Sequence, residues 1–314
     1  MILLLQYTLL FASVLTLVAL GGCFCERSGI VNIGLEGIMV LGALGGALVL
    51  RFLPVEVGTP VMILATVAAS AFMGLLASLF LAVASIDFRA NQTITGTAIN
   101  MLATAAATVG VKAMNSALSG GKDTTSDIPY PRTKELLVAK IGEFDFNWFM
   151  LLAAVLLLLS YFLLYKTRFG LRLRACGEHP QAADSVGISV RKMRYMGVLI
   201  SGLLGGFGGL VYITAGVSVW KFENGVSGFG FLAMAVMIFG SWHPLRIGLG
   251  ALLFGFFRAL GNVYSGFDFM ARLELPGVVY NMLPYIIALL VLILTSKRSP
   301  APKAAGLPYD KGAR

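Results

Sequence analysis

The sequence predicts an all-α fold, a bundle of about nine transmembrane helices arranged in two related halves. Of its 314 residues, 58% are hydrophobic and 12% are charged, whereas soluble chains average about 25% charged residues. The mean hydropathy of +0.85 leaves too little polar surface to cover a water-soluble globule, and the 37 glycines are typical of closely packed membrane helices. These observations exclude a secreted, disordered or nucleic-acid-binding domain.

Nine apolar stretches of the sequence are candidates for membrane-spanning helices. A bilayer core of roughly 30 Å requires about 20 apolar residues per helix, so we delimited the stretches by charged or turn-rich breaks. They cover residues 2–22, 33–50, 61–86, 92–113, 148–165, 195–217, 228–241, 246–263 and 277–295. The first stretch lacks the basic start and the small-residue cleavage site of a signal peptide, so we expect it to remain as a helix.

The distribution of basic residues predicts the orientation of the chain. Half of the lysines and arginines, 12 of 24, lie in the segment 166–194 and in the tail 296–314. Basic connections face the cytoplasm, which places both stretches inside, and an even number of helices between them agrees. The less basic connection 115–147 is expected outside, together with the amino terminus. The predicted organisation is one transmembrane domain, residues 1–295, followed by a cytoplasmic basic tail.

The fourth stretch carries a stripe of polar side chains. Thr93, Thr97, Asn100, Thr104 and Thr108 follow one another at steps of three or four residues, which places them on one helix face. The hydroxyls either bond back to their own helix and connect helices, or line a path for a hydroxyl-rich solute. Both interpretations stand, and Asn100 favours a path because a mid-helix amide is costly unless it is satisfied.

An ionisable residue opens the second stretch. Glu36 follows Asn32 by one helical turn, so both side chains lie on one side of the helix. A carboxylate within a span usually faces a cavity or a partner. This favours a role in a pathway or gate over the alternative, in which Glu36 only ties down a helix end.

The seventh stretch is too short to cross the membrane unaided. Residues 228–240 form about 13 residues, or roughly 20 Å, of helix. The second stretch is interrupted by glycines from residue 34 to residue 46. Paired interruptions predict two structural repeats that meet at a site near the midplane. The alternative is a tilted or re-entrant packing helix.

Enzyme signatures do not occur in the sequence. The closest approach to a nucleotide-binding loop, residues 119–123, lacks the leading glycine and the Ser or Thr after lysine. Residues 225–228 (GVSG) have the pattern of a membrane serine protease, which needs a histidine close to the serine. His179 lies in the basic segment, and His243 lies sixteen residues beyond Ser227. We therefore expect a protein without catalytic residues and without its own ATP site.

The basic segment 166–194 contains a short alanine-centred island, residues 180–187, with basic residues on both sides. Such an island can form a helix on the membrane surface that inserts into a cleft of a soluble partner. The alternative is a solvated charged loop.

Four motifs carry a resemblance to a known family. In chain order they are 26–37 (ERSGIVNIGLEG), 89–100 (RANQTITGTAIN), 174–187 (RACGEHPQAADSVG) and the run from residue 227 (SGFGF). With these motifs the chain resembles the membrane permeases of ATP-binding-cassette importers in the branched-chain amino acid and simple-sugar permease superfamily, above all its nucleoside branch. The resemblance extends to about residue 295. His179 departs from the asparagine expected before the proline.

The resemblance implies a transport subunit in a bacterial inner membrane. This subunit is expected to hold no cofactor and no metal. Its implied partners are an ATP-binding subunit on the cytoplasmic side, a second, paralogous permease and an extracytoplasmic substrate-binding protein or lipoprotein, with no nucleic acid. A simple sugar or another small polar solute is the alternative to a nucleoside. An ion-driven carrier or channel is a more remote alternative.

The resemblance and the polar pattern together predict two functional groups of residues. The substrate path is expected to comprise Asn32, Glu36, Thr93, Thr97, Asn100, Phe229 and Phe231. The loop gripped by the ATP-binding subunit is expected to comprise Gly177, Glu178, His179, Pro180, Ala182, Ala183 and Gly187. Rings of a nucleobase would stack on the phenylalanines while ribose hydroxyls meet the polar stripe.

Overall fold

The computed structural model describes residues 2–130, 137–142, 144–214, 219–267, 276–295 and 301–310. Within these residues the chain is mostly helical. The helices are α1 (Ile2–Arg27), α2 (Leu35–Phe52), α3 (Gly58–Ala82), α4 (Gln92–Ser119), α5 (Trp148–Lys166), α6 (Arg168–Glu178), α7 (Pro180–Ser185), α8 (Val190–Thr214), α9 (Phe229–Phe239), α10 (Pro244–Val263) and α11 (Gly277–Thr295). The strands are β1 (Asp127–Pro129), β2 (Val138–Ile141), β3 (Phe144–Asn147) and β4 (Val219–Lys221).

Seven helices in the described part of the chain are long and apolar enough to cross a membrane, namely α1, α2, α3 with its π-helical extension, α4, α5, α8 and α10. This confirms the predicted multi-pass helical bundle. The seventh predicted stretch forms α9, which has only 11 residues. The ninth forms α11, which has 19 residues and contains Pro284. The exact count of nine spans and the relation between the two halves stay predictions.

Several helices begin at residues that satisfy their free backbone N–H groups. The Asn91 side chain accepts hydrogen bonds from the backbone of Thr93 and Ile94 at the start of α4. Asn147 caps α5 in the same way, and Thr167 caps α6. These are the side chains that favour the cap position, because a short polar group can reach the first turn.

The centre of the bundle is formed by α1 and α8. α1 packs against α8, α10, α9 and α5, and α8 also packs against α2 and α3. Every residue of α1 from position 10 to position 26 is buried. By contrast, α3, α4 and α5 keep broad apolar faces exposed, including Phe72, Leu102 and Leu158. In a membrane these faces lie against lipid or a second subunit.

Small residues let the central helices approach closely. A Cβ atom on Gly197 of α8 would lie 2.6 Å from the Ser28 side chain, and one on Gly205 would lie 2.8 Å from Ile38. On α10, a Cβ on Gly255 would lie 2.7 Å from the backbone nitrogen of Ala12 in α1. Small residues recur every four positions on both helices and serve close packing, namely Gly197, Ser201, Gly205 and Gly209 on α8 and Ala251, Gly255 and Ala259 on α10.

A close junction between α8, α2 and α3 supplies a test of this packing. Gly206 of α8 lies directly against Gly42 and Ser70, whereas a Cβ on Gly110 of α4 would meet nothing within 4 Å. We expect Gly206→Ala to lower the midpoint of thermal unfolding in detergent, because overpacking costs about 1–3 kcal/mol. Gly110→Ala is the matched control and should leave the midpoint unchanged or raise it, because alanine has the higher helix propensity. Equal midpoints for both variants would contradict the close approach.

The two ends of the bundle differ. The ribbon end carries two antiparallel ribbons, β1 with β4 and β2 with β3, and the start of α1 lies beside β3 there. The loop end carries α6, α7, the connection 28–34 and the segment 301–310. The basic segment 166–194 and residues 301–310 of the predicted tail therefore lie at one end of the described structure, and the start of α1 lies at the other.

Candidate functional site

Helix α9 begins near the middle of the bundle. Its far end is anchored at the loop end, where the indole of Trp242 donates to Glu26 at 2.6 Å and Arg27 donates to the Trp242 carbonyl at 3.2 Å. Eleven residues of helix rise about 16 Å, or roughly half of a bilayer core. The first N–H groups of α9 therefore point into the interior of the membrane domain, where they need acceptors.

Glu36 supplies those acceptors. Its Oε1 accepts a hydrogen bond from the Gly228 backbone at 2.7 Å, and its Oε2 accepts one from the Gly230 backbone at 2.7 Å. The partly positive start of a helix stabilises a carboxylate at this position. Glu36 therefore links the first turn of α2 to the first turn of α9, which is the helix-end role that the sequence left as the alternative.

Asn100 holds the other side of the α2 entrance. Its Oδ1 accepts from the Gly37 backbone at 2.7 Å, and its Nδ2 donates to the Ile33 carbonyl at 2.9 Å. Both hydrogen-bonding groups of the amide are thus satisfied by the backbone of α2 and the residues before it. The Asn100 amide thus joins α4 to α2, and the Glu36 carboxylate joins α2 to α9.

Asn32 faces a different helix from Glu36. It is 1% exposed, and its Nδ2 donates to the Ser201 hydroxyl of α8 at 2.9 Å. The expectation that the two side chains share a helix face does not hold, because α2 begins only at Leu35 and residue 32 precedes the helix. Asn32 anchors the α1–α2 connection to the central helix.

The threonine stripe lies on the outside of the chain. Thr93 and Thr97 are exposed, whereas Asn100, Thr104 and Thr108 are half-buried. The Thr97 hydroxyl donates to the Thr93 carbonyl at 2.9 Å, and the Thr104 hydroxyl donates to the Asn100 carbonyl at 3.1 Å. These hydroxyls bond back to their own helix, and a neighbouring molecule or solute can still reach Thr93 and Thr97.

The two phenylalanines of α9 have opposite environments. Phe229 is fully buried and packs against Tyr212 and Phe11, with ring centroids 4.8 and 5.7 Å away. The guanidinium of Arg258 lies 5.4 Å from the Phe229 ring centroid. Phe231 is 48% exposed, so it alone of the pair is open to a ring from outside the chain.

The structure adds two tyrosines that sequence reasoning missed. The Tyr285 hydroxyl donates to the Ser227 carbonyl at 2.6 Å, and the Tyr212 hydroxyl lies 3.4 Å from the Ser227 hydroxyl. Ser227 has a φ of +53°, so its backbone is strained. Pro284, which lies beside Tyr285 inside α11, was the available sequence signal. Ser227 and His243 stand at opposite ends of α9, which agrees with the rejection of a protease.

The predicted partner-binding segment forms two helices, α6 and α7, and we call its residues 177–187 the coupling loop. The helix expected within residues 180–187 is present as α7. Three of its predicted functional residues point inward, namely Gly177, Pro180 and Ala183, whereas His179, Ala182 and Gly187 are exposed. Glu178 lies 3.7 Å from Arg27 at the end of α1. The exposed face of α7 is the part that a partner can reach.

The described residues contain no group of three or more His, Cys, Asp and Glu side chains placed to hold a metal ion. Cys23, Cys25 and Cys176 are free and buried. The arrangement joins the start of the short helix α9 to Glu36 and leaves one face of α7 exposed at the loop end.

Comparison with known proteins identifies the family of the chain. Residues 4–295 match the family described as the permease component of branched-chain amino acid transport systems. The chain is 45% identical to the guanosine ABC transporter permease protein NupQ of Bacillus subtilis, over 98% of this chain and 96% of that protein. It is 38% identical to the nucleoside ABC transporter permease protein NupC of Lactococcus lactis, over 96% and 95% of the two chains. A second lactococcal protein, the nucleoside ABC transporter permease protein NupB, is 25% identical over 96% of this chain and 83% of its own length. The chain therefore belongs to the branched-chain amino acid transport system permease family.

Proposed function

We propose that the chain is the membrane permease subunit of an ATP-binding-cassette importer and that it forms one wall of a translocation path for nucleosides. The observation that carries this proposal is the near-full-length 45% identity to a guanosine permease. Two features support the proposal: the short helix α9 is a candidate for one side of a site at mid-depth, and the exposed face of α7 is a candidate docking surface for an ATP-binding partner.

The solute path is proposed to run along the exposed face of α4 and the start of α9. Thr93, Thr97 and Phe231 are exposed there and would contact the ribose hydroxyls and the base. The other four predicted path residues lie behind this face. Asn32, Glu36, Asn100 and Phe229 are proposed to hold the broken helices in the shape that forms the path.

The partner subunits follow from the same proposal. The relatives include two different permeases of Lactococcus lactis, NupC and NupB, which supports a second, paralogous permease beside this chain. An ATP-binding subunit would grip the coupling loop and bind the ATP, so that the chain itself needs no cofactor. An extracytoplasmic binding protein or lipoprotein would deliver the solute to the ribbon end.

The location is proposed to be a bacterial inner membrane, with the loop end in the cytoplasm. The segment 166–194, which has seven basic residues, lies at that end together with the segment 301–310. An excess of basic residues is typical of cytoplasmic connections. The carboxyl terminus and the tail 296–314 would then also be cytoplasmic.

Uptake by cells tests the proposed function. Cells lacking the chain should lose energy-dependent uptake of radiolabelled guanosine, because the solute then has no path across the membrane. Expression of the chain from a plasmid should restore the uptake. Uptake of glucose serves as the control and should not change. An affinity tag on the plasmid copy should co-purify an ATP-binding subunit from detergent extracts. Guanosine uptake that persists without the chain, or a tagged chain that purifies without an ATP-binding subunit, would contradict the proposal.

A further inference from the structure

Part of the predicted tail is ordered against the coupling loop. We call residues 301–310 the strap. The sequence predicted only a basic tail, but the strap contains two tight turns, closed by Ala305 N–H to Pro302 at 3.0 Å and by Leu307 N–H to Ala304 at 3.2 Å. Ala304 is only 4% exposed. The strap is therefore a packed part of the fold.

Backbone hydrogen bonds connect the strap to two elements at once. The Ala304 N–H donates to the Gly177 carbonyl of the coupling loop at 2.8 Å, and the Gly306 N–H donates to the Gly29 carbonyl after α1 at 3.3 Å. Gly177 itself lies directly against the backbone of Arg27. The strap, the end of α1 and the start of the coupling loop thus form one three-way junction.

A buried arginine fixes the strap to α8. Arg194 is 2% exposed, and its Nη1 donates to the Leu307 carbonyl of the strap at 3.0 Å. Its Nε and Nη2 atoms find no acceptor among the described residues. A buried guanidinium that loses an acceptor pays the full desolvation penalty, so the strap is strongly favoured in its observed place.

The far part of the strap bridges an open cavity. The cavity has a volume of about 730 Å³ and lies between the coupling loop and the α3–α4 connection, with Asp87, Ser189 and Arg191 in its wall. Tyr309 of the strap and Asp184 of the coupling loop both line this cavity. The next residue, Asp310, forms a two-pronged ion pair with Arg89 before α4, at 2.9 and 3.1 Å.

We propose that the strap is a positioning segment for energy coupling, an inference that rests on the proposed importer function. It joins the coupling loop to the end of α1, to α8 and to the start of α4, so that a displacement of α7 by the ATP-binding subunit moves these elements as one body. Asn100 of α4 bonds to the start of α2 and to Ile33 before it, and Glu36 of α2 bonds to the start of α9. The strap thereby extends the mechanical route from α7 towards the broken helix.

Truncation separates this role from simple folding. A chain ending at residue 300 should still capture the ATP-binding subunit, because the exposed face of α7 remains, but substrate should no longer stimulate ATP hydrolysis. A chain ending at residue 310 is the matched control and should behave as the full chain.

Amide hydrogen exchange of the isolated permease gives a readout that needs no partner, and residues 180–185 should exchange faster only in the chain that ends at residue 300. Normal stimulation or unchanged exchange in that chain would overturn the proposal. Failure of the full chain to capture any ATP-binding subunit would instead refute the importer function.

Two further variants keep the proposal testable if the truncated chain does not fold. Arg89→Asp and Asp310→Arg should each lower substrate-stimulated hydrolysis, and the double variant should recover it, because the ion pair is restored with its charges exchanged. Recovery excludes a general loss of folding as the cause.

A cross-link provides a further test. In the Arg89→Cys, Asp310→Cys double variant, a short bismaleimide cross-link between the two cysteines should leave substrate-stimulated ATP hydrolysis intact. If the cross-link blocks stimulation, the strap has to leave during transport and the positioning role is refuted.

Discussion

Replacing Glu36 with alanine should abolish uptake while the chain still inserts into the membrane. The change removes both acceptors of the α9 N–H groups, and each buried donor left unsatisfied costs about 1–3 kcal/mol. The start of α9 would then lose its fixed position beside α2. We expect uptake of radiolabelled guanosine to fall by more than about tenfold, since roughly 1.4 kcal/mol corresponds to a factor of ten.

Two related variants separate the hydrogen bonds from the charge. Glu36→Gln has the same shape but turns one acceptor into a donor that faces a backbone N–H, so uptake should also fall strongly. Glu56→Gln is the matched control, because Glu56 is exposed in the short turn before α3, and it should transport normally. Normal uptake by Glu36→Gln would mean that the cap of α9 has no part in transport.

Changing Val186 to glutamate should uncouple the permease from its ATP-binding partner. Val186 follows α7 and is 75% exposed, so the new charge would be buried without a partner when the coupling loop docks. An uncompensated buried charge costs several kcal/mol. In detergent-purified complexes we expect the ATP-binding subunit to be lost, or substrate-stimulated ATP hydrolysis to fall to its basal rate.

The control for this prediction lies at the same end of the molecule. Leu171→Glu adds the same charge to a residue of α6 that is 62% exposed and that lies outside the coupling loop and the strap. It should leave assembly and hydrolysis unchanged. The thermal midpoint of Val186→Glu in the isolated permease should equal that of the unaltered chain. Unimpaired hydrolysis in Val186→Glu would place the docking surface elsewhere.

The polar residues of the membrane domain illustrate how far sequence reasoning reaches. Asn100 and Glu36 were identified because an amide or a carboxylate within a span is costly unless it is satisfied. Their partners could not be identified in this way. Asn100 bonds to the backbone of Gly37, and Glu36 bonds to the backbone of Gly228. The residue type does not indicate which backbone N–H group donates such a bond.

The coupling loop shows the same limit on a smaller scale. Its composition and the family motif located the helix that became α7. They could not show that Ala183 packs inward while the adjacent Ala182 is exposed. Both residues are alanines, and only the packing of α7 against α6 and α8 distinguishes them. The strap was even less accessible, since its binding depends on carbonyl groups and on one arginine more than one hundred residues away.

The sequence by itself determined that the chain is a multi-pass helical membrane protein and that half of its basic residues lie in the segment 166–194 and the tail. Hydrophobic length and charge placement suffice for this, because the bilayer imposes them segment by segment. Only the tertiary structure decided which predicted path residues are exposed, what Glu36 binds and that residues 301–310 pack against the coupling loop. These properties depend on contacts between segments distant in the chain, and such contacts are set by how the helices pack together.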